Sequence, residues 1–159
     1  MKLTSYKLPH LILTAILALM AVPAIAVAAA NSDAVMQPIH QFIDGMNAND
    51  NTKAAAAFTA TATLIDEFPP YYWHSATAYA DWGSSFAAEA AKQSVTEPHI
   101  TMATPSHVQM EGQAAYVVIP ADFKFKVKGA AQSEAGLFTF TVKRHNGVWK
   151  INSMTWSTK

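Results

Sequence analysis

The chain has 159 residues, of which 51% are hydrophobic and 14% are charged. Eleven Lys and Arg residues balance eleven Asp and Glu residues, so no net positive charge indicates a nucleic-acid partner. The chain has no cysteine, which excludes a disulfide framework, thiol catalysis and thiolate metal ligands.

Residues 1–30 have the features of a secretory signal peptide. Lys2 and Lys7 give a basic start, and the stretch Leu8–Val22 that follows is mainly apolar. A series of small residues then offers several cleavage positions. We expect cleavage after one of three alanines: Ala26, Ala28 or Ala30.

An uncleaved membrane anchor is the alternative for this leader. The apolar run is slightly short for a membrane span and is broken by Pro23, so we favour cleavage. The sequence therefore predicts a bacterial periplasmic or secreted protein that has no membrane contact after cleavage. Residues 31–159 are of a length that suits one domain.

Three helices are predicted in the first half of this domain. In the first, Ser32 or Asp33 caps apolar residues that recur at helical spacing from Val35 to Met46. The second covers Thr52–Phe58 and contains four consecutive alanines. The third begins at Ser75, and its apolar stripe consists of Tyr79, Trp82, Phe86 and Ala90.

A strand over Thr59–Asp66 is predicted between the second and third helices. Read with period two, Asp66 shares one side of this strand with Ala60, Ala62 and Leu64. That side is small and apolar and should be buried, where a carboxylate is costly. Asp66 is therefore the first candidate for chemistry, as a general base whose pKa an apolar pocket raises. The alternative is a carboxylate that binds the backbone of the following turn.

From Val95 onward the pattern predicts strands. Gly129–Gly136 is predicted as a loop, and Asn146-Gly147 as a hairpin turn. Helices followed by antiparallel strands indicate an α+β domain with the helices on one face of a curved sheet and a pocket between them. The predicted strands are Thr96–Thr104, Ser106–Met110, a long strand that ends at Lys128, Phe138–Lys143 and Val148–Trp156.

The order of elements resembles the nuclear transport factor 2-like superfamily and, within it, the SnoaL-like and ketosteroid-isomerase-like domains. The resemblance implies a cone-shaped sheet, antiparallel or mixed, wrapped on one face by three N-terminal helices around an internal pocket. It also implies a homodimer through the outer sheet face, although Lys124, Lys126 and Lys128 would make that interface charged. The similar segments are 42–50, 57–58, 62–66, 147–151 and 156–157.

In ketosteroid isomerases the general base occupies the position that corresponds to Asp66. The tyrosine that such enzymes use to stabilise the oxyanion corresponds to Phe42 here, and their second aspartate falls near Thr139 or Thr141. A classical steroid isomerase is therefore not expected.

An aromatic run, Tyr71–His74, follows Pro69-Pro70. It is interpreted either as a rim that orients a ligand or as a loop that completes the core. In an enzyme, His74 would relay a proton and Tyr72 would steady a substrate oxygen beside Asp66. The residues predicted to bind ligand are Phe42, Phe68, Trp73, Tyr79, Trp82, Tyr116, Phe123 and Phe138.

Three functional hypotheses remain open. The preferred one is an exported domain that binds a small hydrophobic, carbonyl-bearing molecule without turnover. The second is a lyase or isomerase with Asp66 as general base, and the third is a protein-interaction or dimerisation module without a ligand. The scattered histidines, among them His99 and His107, lack a metal-ligand spacing, so neither a metal nor another cofactor is expected.

Overall fold

The computed structural model describes the backbone of residues 22–159 and the side chains of residues 32–159. Residues 1–21, which carry most of the predicted signal peptide, lie outside this range. Within it, no helix combines the length and the apolar character that a membrane crossing requires.

The three helices are α1 (Val22–Asn47), α2 (Asn51–Ala55) and α3 (Ala78–Gln93). The prediction that α1 begins at Ala34 after a cap at Ser32 or Asp33 is wrong, because helix-favouring alanines before that position let the helix begin earlier. The predicted end of α2 at Phe58 is also wrong. The helix ends at Ala55, after a start that the Asp50 carboxylate caps by accepting from the Lys53 N–H at 2.8 Å.

The strands form one curved sheet in which β1 pairs with β7 in parallel and the other pairs are antiparallel. The order across the sheet is β2-β1-β7-β6-β5-β3, and β4 pairs with β5 beyond the end of β3. The predicted α+β class with a curved sheet is confirmed. The strands are β1 (Phe58–Ile65), β2 (Tyr72–His74), β3 (Val95–Met102), β4 (His107–Glu111), β5 (Ala114–Val127), β6 (Ala130–His145) and β7 (Val148–Thr158).

The segment predicted as a loop at 129–136 is mostly strand. Lys128 and Gly129 have φ angles of +50° and +83°, and they form a two-residue turn between the paired residues Val127 and Ala130. The residues after this turn are weak strand formers, but continuous pairing with β5 overrides that preference. Glu134 thereby enters the sheet directly opposite Phe123.

Helices α1 and α3 pack on the same side of the sheet. The core beneath them is centred on Phe42, whose ring contacts five other aromatic rings edge-on at centroid distances of 5.1–6.4 Å. This cluster fills the interior below α1. Beneath α3, towards the turn between β5 and β6, the interior is not filled.

Candidate ligand-binding site

A cavity of about 230 Å³ lies between the two long helices and the sheet. It is larger than the engineered cavity of about 150 Å³ that binds benzene in another protein. Glu67, Gln93 and Pro98 line it and are solvent-exposed, so the cavity opens to solvent on their side. Its aromatic lining consists of Phe42, Phe68, Trp82, Phe86, Phe123, Phe125, Phe138 and Trp156.

The end of β1 brings Asp66 into this cavity. Ala62 and Leu64 are buried on the inner side of the strand, and Asp66 follows them with only 9% of its surface exposed. Ala60 does not share this environment, because the register of β1 on β7 shifts between Phe58 and Thr63 and leaves it exposed. Period-two alternation therefore holds from Ala62 to Asp66 and directs the Asp66 side chain inward.

Two hydrogen bonds hold the Asp66 carboxylate. Its Oδ2 accepts from the indole Nε1 of Trp82 at 2.8 Å, and its Oδ1 accepts from the backbone N–H of Glu67 at 2.8 Å. The second bond is local, as expected for a residue at a strand end. The first ties β1 to α3 inside the cavity and fixes the orientation of the carboxylate.

Burial raises the pKa of Asp66 from 3.8 to about 6, although both hydrogen bonds favour the ionised form and oppose the rise. The nearby carboxylates of Glu67 and Glu134 raise it further. At neutral pH, Asp66 is then mostly ionised and has a proton affinity suited to general base catalysis.

Other carboxylates also line the cavity. Glu67 Oε1 accepts from the backbone N–H and the hydroxyl of Thr158 at 2.6 and 2.9 Å. Glu134 Oε1 accepts a longer bond of 3.4 Å from the indole of Trp156. Glu89 binds Gln93 and Lys92, which lower its pKa. Among the described residues that line the cavity there is no Lys, Arg or His.

A glycine shapes the wall beside Trp156. A Cβ atom built on Gly136 would lie 2.4 Å from the Trp156 ring, well inside any normal contact. The missing side chain therefore lets the indole lie directly against β6, where it also packs on Phe138 at a centroid distance of 4.7 Å. Gly136 and Trp156 together set the outline of this wall.

Five of the eight residues predicted to bind ligand line the cavity with Asp66: Phe42, Phe68, Trp82, Phe123 and Phe138. Trp73 is buried behind Phe68, with ring centroids 5.4 Å apart. Tyr79 packs on Phe58 at 5.3 Å, and its pKa is raised to about 12, mainly by burial. Tyr116 is 43% exposed and contacts His107 outside the cavity.

The expected placement of His74 and Tyr72 beside Asp66 is corrected by the pairing of β1 with β2. His74 pairs with Thr63, and Tyr72 pairs with Ile65, so both lie on the side of the sheet opposite Asp66. The Nδ1 of His74 lies 2.9 Å from the Thr63 hydroxyl, and Tyr72 is 56% exposed. Neither residue can deliver a proton to the cavity from there.

The sequence reasoning missed several lining residues. The sequence pattern predicts a loop at Glu134 and a closing strand at Trp156, and neither prediction indicates a place in the cavity wall. The indole N–H groups of Trp82 and Trp156 each need an acceptor if they are buried, so these two residues indicate that carboxylates lie nearby. The described residues include no group of three His, Asp or Glu that could hold a metal ion.

Solved structures share this fold at low sequence identity. A nuclear transport factor 2-like protein from Salmonella enterica serovar Typhimurium is 14% identical, with a TM-score of 0.67 over 82% of this chain and 92% of the other. A putative scytalone dehydratase from Novosphingobium aromaticivorans is 13% identical, with a TM-score of 0.68 over 85% of this chain and 88% of the other. A hexachlorocyclohexane dehydrochlorinase, LinA-type3, from Novosphingobium barchaimii is 11% identical, with a TM-score of 0.72 over 85% of this chain and 90% of the other.

These similarities confirm the predicted resemblance at the level of the fold: the chain has the nuclear transport factor 2-like architecture. No protein-family model matches the sequence. No curated protein matches it either. The fold hosts many activities, so function has to be argued from the cavity.

Proposed function

We propose that this domain binds a small, mainly hydrophobic molecule in the cavity beneath α3. The observation that carries the proposal is an aromatic-lined space that the described side chains leave empty, with one buried carboxylate in its wall. A module that acts only through its outer surface has no need of such a space. This observation therefore favours ligand binding over the interaction-module hypothesis.

The carbonyl group expected on the ligand has few partners here. The side-chain amides of Asn47 and Gln93 already donate to Ile100 O and Glu89, and the Trp82 indole donates to Asp66. A carbonyl oxygen would depend on the second N–H of either amide, on the weakly engaged Trp156 indole or on protonated Asp66. The ligand's hydrophobic body thus has stronger support than its carbonyl group.

The second candidate function is that of a lyase with Asp66 as general base. Its raised pKa suits proton abstraction, whereas stabilising an enolate oxygen would take a pair of converging donors. A 1,2-elimination needs no such pair: Asp66 takes the proton, the C–H electrons form the double bond, and the leaving group departs with its own pair. A dehydratase and a dehydrochlorinase are among the proteins that share the fold.

Native mass spectrometry of protein purified from its own host tests the binding proposal. We expect a co-purifying small molecule that organic extraction releases. The Asp66→Asn variant separates the two functions, because it should keep the affinity for a neutral hydrophobic probe within about threefold but abolish any turnover. Asp122→Asn, at an exposed strand position, is the matched control. Failure of every hydrophobic probe to bind would refute the proposal.

Export is also part of this proposal. The leader over 1–30 carries the sequence features of a cleaved signal peptide, and we expect the mature protein in the periplasm or medium. N-terminal sequencing of protein isolated from those fractions should begin after Ala26, Ala28 or Ala30. An intact N-terminus in the membrane fraction would support the anchor instead.

We further propose a homodimer that forms through the outer face of the sheet. That face exposes apolar and aromatic side chains, among them Ile65, Tyr72 and Tyr116, each at least 40% exposed. Light scattering should give twice the mass of the mature chain. A Tyr116→Lys variant should shift that mass to the monomer, and an unchanged mass would point to another surface.

A further inference from the structure

We infer that the molecule bound in this cavity is an organic cation: a small hydrophobic body that carries a protonated amine or a quaternary ammonium group. The inference rests on the proposed function and specifies the class of ligand. It follows from the carboxylates in the wall, from the aromatic faces beside them, and from the fact that no described lining residue supplies the opposite charge.

Three carboxylates of the cavity wall, Asp66, Glu67 and Glu134, have only neutral partners among the described residues. Asp66 and Glu134 accept from indole N–H groups, and Glu67 accepts from the backbone and hydroxyl of Thr158. Of the ion pairs of the described chain, the one between Glu89 and Lys92 lies at the cavity wall, and those of Asp44 and Glu97 lie elsewhere. A positive charge inside the cavity would therefore meet acceptors that no protein cation has satisfied.

The aromatic residues add a second attraction. Phe123 pairs directly across the sheet with Glu134, so an aromatic residue and a carboxylate are neighbours on the cavity wall. The rings of Phe123 and Phe125 stack at 4.9 Å, and those of Trp82 and Phe86 stack at 5.7 Å. Ring faces attract cations, and this attraction is strongest where water is excluded.

Other ligand charges fit less well. A carboxylate or phosphate ligand would face like charges in a partly desolvated site. A metal ion needs several ligands converging on one point, and the described carboxylates do not provide such a group. A cation with a hydrophobic body matches both the acids and the aromatic rings of the cavity lining.

The affinity for a cation should depend on pH through Asp66. The titratable groups that act on Asp66 are Glu67 beside it and Glu134 on β6; Trp82 on α3 is neutral. Protonation of Asp66 as the pH falls through about 6 removes one negative charge from the wall. The preference for a cation should then shrink between pH 8 and pH 5.

The test uses four ligands on one bicyclic skeleton: 2-aminoindane, 2-indanone, indane and indane-2-carboxylate. Calorimetry at pH 8 with the mature protein should give the amine at least tenfold higher affinity than indane, and no binding of the carboxylate. The amine's advantage should fall at least threefold at pH 5. Equal affinity for the amine and indane would overturn the cation inference but leave the hydrophobic site standing.

The ketone provides a separate readout, since tighter binding of 2-indanone than of the amine would favour the carbonyl expectation and refute the inference. Failure of all four ligands would instead refute the proposed function. Glu134→Gln should reduce amine affinity at least threefold without changing that of indane. Glu111→Gln, at an exposed position on β4 away from the cavity, should change neither. A loss of amine affinity equal in both variants would also refute the inference.

Discussion

At both ends of the β5–β6 hairpin every second side chain points inward, but one end is a packed core and the other lines a cavity. Near the open end of the hairpin, Val117 and Ile119 on β5 and Phe140 on β6 are completely buried. Near the turn, Phe123 and Phe125 continue the alternation on β5 but are only partly buried and line the cavity. We call these regions the packed half and the cavity half.

The difference arises from what covers each half. Phe42 of α1 fills the packed half and contacts both Phe138 and Phe140. Over the cavity half, α3 presents Trp82 and Phe86, whose rings stack on each other and leave space beneath them. An inward apolar residue is thus necessary for a core but does not guarantee one, and the covering helix decides whether core or pocket results.

The largest expected effect is a difference in stability between a truncation in the packed half and the same truncation in the cavity half. Phe140→Ala should lower the free energy of unfolding by about 3–5 kcal/mol, because it leaves a sealed void in the packed half. Phe123→Ala should cost about 1 kcal/mol, since its ring already borders an open space. Urea unfolding at pH 7 measures both, and equal losses would show that the cavity half is packed in solution.

Asp66→Asn should stabilise the cavity half at high pH. The native pKa of about 6 exceeds the unfolded value of 3.8, so native-state stability falls as the pH rises from about 4 to about 6. The ionisation penalty is then about 3 kcal/mol above pH 7. A neutral amide escapes it, and we expect the variant to gain about 2 kcal/mol at pH 8 over wild type.

The pH dependence of that gain is the decisive part. Near pH 4 the two proteins should be almost equally stable, because the wild-type carboxyl is protonated in the native state. Urea titrations at pH 4, 6 and 8 provide the measurement, with Asp122→Asn as an exposed control. A variant that is less stable than wild type at pH 8 would contradict a desolvated Asp66.

Gly136→Ala should damage the cavity half specifically. The added methyl group meets the Trp156 ring at 2.4 Å, so the indole has to move, at a cost of about 1–3 kcal/mol. Affinity for a cavity ligand should fall with it. Gly83→Ala is the matched control, because nothing lies within 4 Å of its added Cβ and the helix gains about 1 kcal/mol. Unchanged ligand affinity in Gly136→Ala would remove Trp156 from the site.

The smallest effect should come from Trp82→Phe, which keeps an aromatic ring but removes the indole N–H. That bond favours the ionised carboxylate, so its loss should move the pKa of Asp66 above about 6. Carboxyl ¹³C NMR titration measures the change, and Trp149→Phe, buried away from the cavity, is the control. An unmoved pKa would show that the indole does not bind the carboxylate in solution.

The sequence predicts those features of the fold and the site that depend on a pattern within a single helix or strand. Alternation within β1 is a local signal, and Asp66 follows the buried residues Ala62 and Leu64 as that signal predicts. Applied to β2, the same period-two alternation predicts that Trp73 points inward and His74 outward. That required knowing that Tyr72–His74 is a strand, which Pro69-Pro70 and its turn concealed.

Non-local pairing hid the rest. The residues after Gly129 favour strand only weakly, so their place in β6 depends on contact with β5, and with it the position of Glu134. The Trp82–Asp66 bond joins residues 16 apart, on a helix and at a strand end. Its geometry depends on how α3 lies across the sheet, which no periodicity in the sequence specifies.

Asn47 has a consequence beyond the cavity that it lines. Its side-chain amide donates to the carbonyl of Ile100 and accepts from the N–H of the same residue, both at 2.8 Å. Since β3 ends the sheet on that side, this one side chain imitates the neighbouring strand that Ile100 lacks. A free sheet border invites polymerisation with other molecules, and an amide clasp at this position, with Pro98 close by, makes such self-assembly unfavourable.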